Sequence, residues 1–350
     1  MSVVADVVDA VVGGDTHRDA HALEMVTPAG VTVATTEIGN DEGGFADALA
    51  FIAEHAPGSR VLVGLEGTRS YGVGLARALT AAGLRVVEVE RPRRGARRRG
   101  KSDAIDARLA ALAVLRMAAD RLPVPRVDGD REALRILLGA RRELVMAKTR
   151  QVNRLRALLL TGEDTDRPLA RAAFTQSALA TIARRRGRAG QSREQAVRRA
   201  EARRLALAII AAGRELSDNR AQLVDIVAQV APALMTKPGI GPVSAAQAIV
   251  SWSHPGRCRN DAAYAALAGA SPLPASSGRI TRHRLNRGGD RDLNRALHDI
   301  LLTRWRICPR TRAYVARRRA EGKTDNEIRR CLKRYIAREL YRALNTATAA

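Results

Sequence analysis

The chain has 350 residues, a formal net charge of +24 and only 3% aromatic residues, so Leu, Val, Ile and Ala must fill its core. That length suits two or three domains, and no run of about 18 apolar residues is present to cross a membrane. Cys258, Cys308 and Cys331 are an odd, widely spaced set with no CxxC pair, which argues against a disulfide framework or a zinc site and fits reduced thiols in the cytoplasm. The charge is unevenly placed: residues 1–90 carry 13 acidic and 5 basic side chains, net −8, and residues 91–350 carry net +32. An acidic first quarter followed by a basic remainder suits a nucleic-acid partner, whose phosphates bind cations with release of counterions. The apolar start of the chain contains Asp6 and Asp9 and no basic stretch, so it does not read as a signal peptide.

Residues 7–38 alternate short β-prone runs with turns, one at Pro28–Gly30, and predict three antiparallel strands. Asn40 or Asp41 caps a helix over FADALAFIAEHA, and VLVGLE at 61–66 reads as a strand buried on both faces. A helix over 70–82, ended by Gly83, and a strand at 84–90 complete the order βββαβαβ, that of an RNase H-like fold with the first strand central. Seven of the eleven residues 91–101 are basic, which makes Arg97, Arg98, Arg99 and Lys101 a candidate phosphate-guiding loop. The segment KSDAIDA then opens a helix running to about residue 118, whose i, i+3 spacing puts Asp103 and Asp106 on one face.

Four acids therefore stand where a two-metal nuclease needs oxygen ligands for Mg²⁺: Asp15 after the first apolar run, Glu66 after the buried strand, and Asp103 and Asp106 on the later helix. Asp9, also on the first strand, is the rival of Asp15, and His17 and His21 are neighbours that could support the site.

Beyond Pro125 the sheet signals end. Residues 130–160 and 194–230 are long helices with heptad-like seams: Leu134, Leu138, Arg141, Val145, Lys148, Val152, Leu155 and Leu159 on the first, and Leu205, Ile209, Ala212, Leu216, Asn219, Leu223, Ile226 and Val230 on the second. They can pair within one chain as a hairpin or between chains as an assembly device. A weaker helix lies between them. After Ala231–Pro232, the PGIGP turn and the helix behind it look like a helix-hairpin-helix element, with Gly239 and Gly241 letting backbone approach a phosphate. A loop with Ser276 and Ser277 follows, with Arg279, Arg282, His283, Arg284 and Arg287 within ten residues of Ser277, then a helix from Asp290 and two basic helices over 310–320 and 325–345.

The segments GGDTHRDAH, LEGTRSYG, KSDAIDA, PGIGPVSAAQAI and GASPLPASSGRITRHRLNRGGDR, in this order over nearly the whole chain, resemble the DEDD transposases of the insertion-sequence one-ten family, the bridge-RNA-guided recombinases. The resemblance implies a RuvC-like domain over 1–122, coiled-coil helices over 123–230 and a C-terminal transposase domain over 231–350. It implies that Asp15, Glu66, Asp103 and Asp106 are the four acids of the motif, and that Ser277, five residues after Pro272, is a nucleophile, with Ser276 as fallback. It further implies donor and target DNA and a structured guide RNA as partners, and Mg²⁺ as cofactor. A homodimer or homotetramer is expected as well, since the helical seams are too long to be left in water. Gly13–Gly14 stands where the family usually has an aliphatic residue before the first acid, and Arg18 where Lys is common. The alternative is a junction resolvase that uses the acidic site alone, with water as nucleophile.

Overall fold

The computed structural model describes residues 2–90, 103–126, 128–274, 283–284 and 286–347, without the side chains of 103, 104, 274, 283 and 347. It divides into two compact units, Met1–Glu132 with Trp252–Tyr264, and Ala133–Ser251 with Ala265–Ala350.

The first unit is built on a five-stranded mixed sheet. A single 3₁₀ turn, Val4–Asp6, leads into β1 (Ala10–Thr16), β2 (Ala20–Val26) and β3 (Thr32–Gly39), joined as antiparallel neighbours. Asp41 then caps α1 (Glu42–His55) by accepting from the Gly44 N–H at 2.9 Å, as its place before the apolar run requires. β4 (Val61–Leu65) pairs parallel to β1, and β5 (Arg85–Glu88) parallel to β4, so the strand order is β3-β2-β1-β4-β5 with β1 central. Between them α2 (Val73–Ala81) begins three residues later than the apolar pattern predicts, because residues 67–72 form a turn with Ser70 N–H on Gly67 O. The last element is α3 (Asp103–Leu115).

Strand alternation divides the core between the two faces of the sheet. Ala10, Val12, Leu23, Met25, Val63 and Leu65 pack with Phe51, Ile52, Leu75 and Leu79 of α1 and α2. Val11, Val26, Leu62 and Val87 pack with Ala110, Ala111 and Val114 of α3. Each large aliphatic side chain fully buried in this way contributes about 1.5–3 kcal/mol, so α3 is held by a substantial apolar contact.

In the second unit α4 (Gly129–Leu160), which starts in the first, and α7 (Arg193–Val230) settle the pairing question: they lie antiparallel within one chain. Asn219 donates to Leu137 O at 2.9 Å and Arg141 to Leu216 O at 3.1 Å, while Leu155 and Leu159 pack with Ala202, Leu205 and Ile209. The seams are shorter than the heptad pattern suggests: Val145 is exposed, and near the end of α7 it is Val227, not Ile226 or Val230, that is buried. Between the two helices the predicted single helix is two, α5 (Arg167–Arg171) and α6 (Gln176–Ala183), separated by extended backbone at Ala172.

After α8 (Pro232–Met235) the PGIGP turn leads into α9 (Pro242–Trp252) and α10 (Asp261–Leu267). A two-residue ladder, β6 (Leu273–Pro274) with β7 (His283–Arg284), precedes α11 (Arg291–Ile307), α12 (Pro309–Ala320) and α13 (Asp325–Ala347). Asp290 caps α11 through the Asp292 and Leu293 N–H groups. The cap box of α13 is formed by Thr324 with Glu327, and Asp325 is in an ion pair with Arg319. Among the described residues no helix is long and apolar enough to cross a membrane, and all three cysteines are free thiols.

Candidate active site

Residues 11, 13 and 15 of β1 and residues 62, 64 and 66 at β4 share the parity that faces α3. Asp15 lies inside β1, next to its last residue, and Glu66 follows the last residue of β4; the two ends are adjacent, with the Glu66 N–H donating to Gly14 O at 3.0 Å. The Thr16 hydroxyl fastens the same junction by donating to Glu66 O at 2.9 Å. α3 crosses β1 at Gly13, where a Cβ would lie 2.0 Å from Ala107 O and 2.5 Å from the Ala111 nitrogen. Backbone therefore lies against backbone at this point, and the residue before Ala107 is Asp106. Asp15, Glu66 and Asp106 are all at least 95% buried, a cost that carboxylates bear only where ligands or partners compensate it. Asp103 opens α3, and its side chain lies outside the described residues.

Asp9 does not belong to this set. It sits before β1, at the opposite end of the sheet, and takes hydrogen bonds from the Arg60 backbone N–H at 3.0 Å and from Arg60 Nε and Nη2 at 3.1 and 2.5 Å. Those hydrogen bonds hold its carboxyl below the usual range.

The two histidines divide their roles. His17 Nε2 donates to Asp15 Oδ2 at 3.1 Å while its ring remains 41% exposed. His21 is fully buried, accepts from the His17 N–H at 3.3 Å and donates through Nε2 to Asn40 Oδ1 at 3.1 Å. Burial lowers the His21 pKa, so its neutral ring serves as a fixed support for the turn that carries His17.

An ion pair between a half-exposed arginine and a buried glutamate, which no local pattern announces, holds α3 from its other side. Arg108 donates to Glu24 Oε1 of β2 at 2.7 Å and to Gly30 O at 3.0 Å, and also reaches the Thr32 hydroxyl. Glu24 and Arg108 are 84 residues apart, and neither belongs to a recognisable motif.

The donor set fits a divalent cation of the Mg²⁺ type: hard carboxylate oxygens, supplied from two strand ends and a helix. Thr68, 1% exposed and two residues past Glu66, adds a buried hydroxyl without a hydrogen-bond partner among the described residues. No three His, Cys, Asp or Glu side chains among the described residues are grouped closely enough to hold an ion by themselves, and the side chain of Asp103 is outside that set.

Of the predicted nucleic-acid contacts, Arg97, Arg98, Arg99, Lys101, Arg279 and Arg282 lie outside the described residues, as do Ser276 and Ser277. Arg284 and Arg287 are exposed. Gly239 has φ +74° and packs against α11, where a Cβ would meet Ile300 O and Arg304 Cγ at 3.0 Å; Gly241 faces open space. Arg304 binds this turn to α13, donating from Nε to Pro238 O at 2.7 Å and from both terminal nitrogens to Glu339 at 2.8 and 3.1 Å.

Comparison with known proteins agrees with this geometry. The family model for DEDD transposases of the IS110 type, described as "Transposase", matches residues 12–162, which includes all four acids, and the model described as "Transposase IS116/IS110/IS902 family" matches residues 231–316, which includes Ser276 and Ser277. The chain is 26% identical to the insertion element IS900 uncharacterized 42 kDa protein of Mycobacterium paratuberculosis, over 90% of each chain. It is also 26% identical to the insertion element IS110 uncharacterized 43.6 kDa protein of Streptomyces coelicolor, over 96% of this chain and 94% of that one. With both models matched in order along one chain and two insertion-element relatives aligned over nearly its whole length, the chain belongs to the IS110 family of transposases, enzymes that act on DNA.

Proposed function

We propose that this transposase cuts and rejoins donor and target DNA through a phosphoserine intermediate, with Mg²⁺ held by Asp15, Glu66, Asp103 and Asp106 and with a structured non-coding RNA pairing to both DNAs. The observation that supports the reading is the burial of three carboxylates, Asp15, Glu66 and Asp106, on two adjacent strand ends and on the helix that packs against β1 at Gly13. Bound there, the cation stabilises negative charge on the phosphate and on the departing oxygen. The chain's own residues do the rest. Asp15 is oriented by His17, Glu66 by the strand junction and Thr16, and Asp106 by the seat of α3. The Ser277 hydroxyl is the nucleophile. Its oxygen forms a bond to phosphorus, the bond from phosphorus to the 3′ oxygen breaks, and the serine proton is taken up as the 3′ oxygen becomes a hydroxyl. The linkage conserves a phosphodiester for rejoining, whereas hydrolysis by water would lose it. Ser276 is the fallback nucleophile.

The net charge of +32 over residues 91–350 supports binding of two nucleic acids. We assign the functional regions as 1–122, 123–230 and 231–350, and a homodimer or homotetramer as the working assembly. The long seams are used within one chain, so association must use other surfaces.

The test is to incubate the protein with end-labelled DNA of the element's own termini, Mg²⁺ and the element's non-coding RNA, then to denature and ask whether label migrates with protein. Wild type gives an adduct and Ser277→Ala gives none. DNA cut without any adduct assigns the reaction to water and the protein to the hydrolytic, resolvase-like class. Cutting that proceeds equally without RNA removes the guide from the reading.

A further inference from the structure

The C-terminal unit contains a cavity of about 800 Å³ at the foot of the β6–β7 ladder, between Ser271, Pro272 and Arg284 on one side and the face of α13 on the other. Seven Lys and Arg side chains line it, against one carboxylate, Glu327. That carboxylate is already committed, accepting from the Thr324 N–H and hydroxyl at 2.9 Å in the cap of α13. Arg318 is engaged with Glu321. The lining therefore offers the other six cations no carboxylate of its own.

A row of cations on a helix is ordinarily a solvated face, but two observations set this one apart. It is concave, and its size falls within the range of about 300–1,000 Å³ typical of ligand sites. Two of its cations are also held in place: Lys333 is half-buried, with its ammonium donating to Asn294 Oδ1 at 2.8 Å, and Asn294 in turn donates to Ala268 O at 2.7 Å. Arg329 lies over the Trp305 ring at 5.5 Å. Long basic side chains usually keep their rotamer freedom in water, and fixing them in advance lowers the cost of binding an anion. Arg330, Lys333 and Arg334 follow i, i+3, i+4 spacing along α13, so they form one edge of about one helical turn.

We propose that this cavity is a phosphate track, in which Lys333 holds a backbone phosphate of a nucleic-acid strand and Arg330 and Arg334 hold its neighbours, so that the strand passes the foot of the β6–β7 ladder. The inference rests on the reading that the C-terminal segment acts on a DNA strand. It adds the residues that would hold that strand.

Binding is measured with the full-length protein in EDTA, where no cleavage contributes, by fluorescence anisotropy on labelled random-sequence duplex DNA, on one of its single strands, and on single-stranded RNA, over a salt series. The variants are Lys333→Gln, which retains a donor for Asn294, and Arg330→Gln/Arg334→Gln; the control is Arg295→Gln/Arg306→Gln, which removes two exposed charges outside the cavity. Each lost phosphate contact lowers the slope of log affinity against log salt by about 0.9 on duplex and about 0.7 on single strands. The double cavity variant should bind on the order of tenfold more weakly, with a slope reduced by nearly two contacts, and the control should stay within about twofold of wild type. Loss confined to DNA assigns the track to the substrate strand, and loss confined to RNA assigns it to a guide; both support it. Wild-type affinity and slope in the double variant overturn the proposal, as does an equal loss in the control, which would reduce the cavity to bulk charge. Should Lys333→Gln fail to fold, the double variant on exposed and half-buried positions decides alone. Because nothing is cleaved in this assay, its failure leaves the serine chemistry untouched, and an absent adduct would leave the track untouched.

Discussion

Substitution of Gly13 by Ala tests whether the contact between α3 and β1 assembles the acidic site. The added Cβ would lie 2.0 Å from Ala107 O and 2.5 Å from the Ala111 nitrogen, where ordinary contact begins near 3.4 Å. Both obstacles are backbone, so no side chain can swing aside and the helix itself must retreat by more than an ångström. Overpacking of this kind costs about 1–3 kcal/mol, and here the upper part of that range applies because the whole helix moves. In a unit of this size, that lowers the unfolding midpoint by roughly 5–10 °C. The larger effect falls on chemistry: a displacement of about 1 Å in a catalytic group costs on the order of 100-fold in rate, and Asp106 immediately precedes the point of contact. The control is Gly139→Ala in α4, where nothing lies within 4 Å of the added carbon and the helix should gain about 0.5–1 kcal/mol. Calorimetry and DNA cleavage are measured on all three proteins. A Gly13→Ala protein that melts early but cleaves at the wild-type rate would show that α3 does not hold the site, and one that melts normally would show that α3 does not press on β1 at this residue.

Replacing Asp15, Glu66 or Asp106 by the matching amide should abolish cleavage while circular dichroism and nucleic-acid binding persist; wild-type cleavage in EDTA would refute metal dependence. Arg108→Met leaves the buried Glu24 carboxylate with the Thr32 hydroxyl but without its cationic donor and should cost about 1–3 kcal/mol, read as a lower urea midpoint and accompanied by slower cleavage because α3 loses its second anchor. Burial alone would raise the Glu88 pKa, but the paired hydrogen bonds from Arg126 and the nearby Arg69 bring it below the usual range. Its folded pKa is thus depressed, so the stability it confers is present above about pH 4.3 and lost as pH falls through the folded value; Arg126→Met should flatten that acid limb of the urea midpoint against pH. Ser277→Ala should remove the covalent adduct and Ser276→Ala should retain it, read from labelled DNA that co-migrates with denatured protein.

The sheet is legible in the sequence, and so are the strand-end places of Asp15 and Glu66, because both follow from alternation. The apolar runs at 10–16 and 61–65 fix two neighbouring buried strands, and an acid at the end of such a run can only emerge at the sheet's edge. Gly13 carries a further signal: a glycine in a central strand marks a close approach, and here α3 approaches it, whereas a Cβ on Gly14 would meet Leu65 and Leu23. What stayed hidden depends on contacts across long sequence separations. The Glu24–Arg108 pair and the Asn219–Leu137 hydrogen bond join residues more than 80 positions apart, and no local pattern encodes such partners. The seams of α4 and α7 were readable, but whether they close within a chain is decided by the hairpin geometry and the α5–α6 connection. The end of α7 was misplaced by one residue because its heptad pattern drifts relative to the 3.6-residue turn, which brings Val227 inward in place of Ile226. The serine loop is legible only as composition and as family likeness, since Ser277 lies outside the described residues.

The parts of the acidic site differ in how firmly they are held. Asp15 and Glu66 come with the sheet: their backbones are locked by ladder hydrogen bonds on a central pair of strands, and Thr16 joins the two ends. Asp106 comes with a helix whose place depends on three separable contacts, namely the glycine seat at residue 13, the apolar packing of Ala110, Ala111 and Val114, and the Arg108–Glu24 pair. If Asp15, Glu66 and Asp106 hold a cation as proposed, its affinity would be linked to the docking of α3. An ion pair and a glycine seat thus serve the position of a single helix, and on the proposed reading, without them only the two strand-end acids would remain in place.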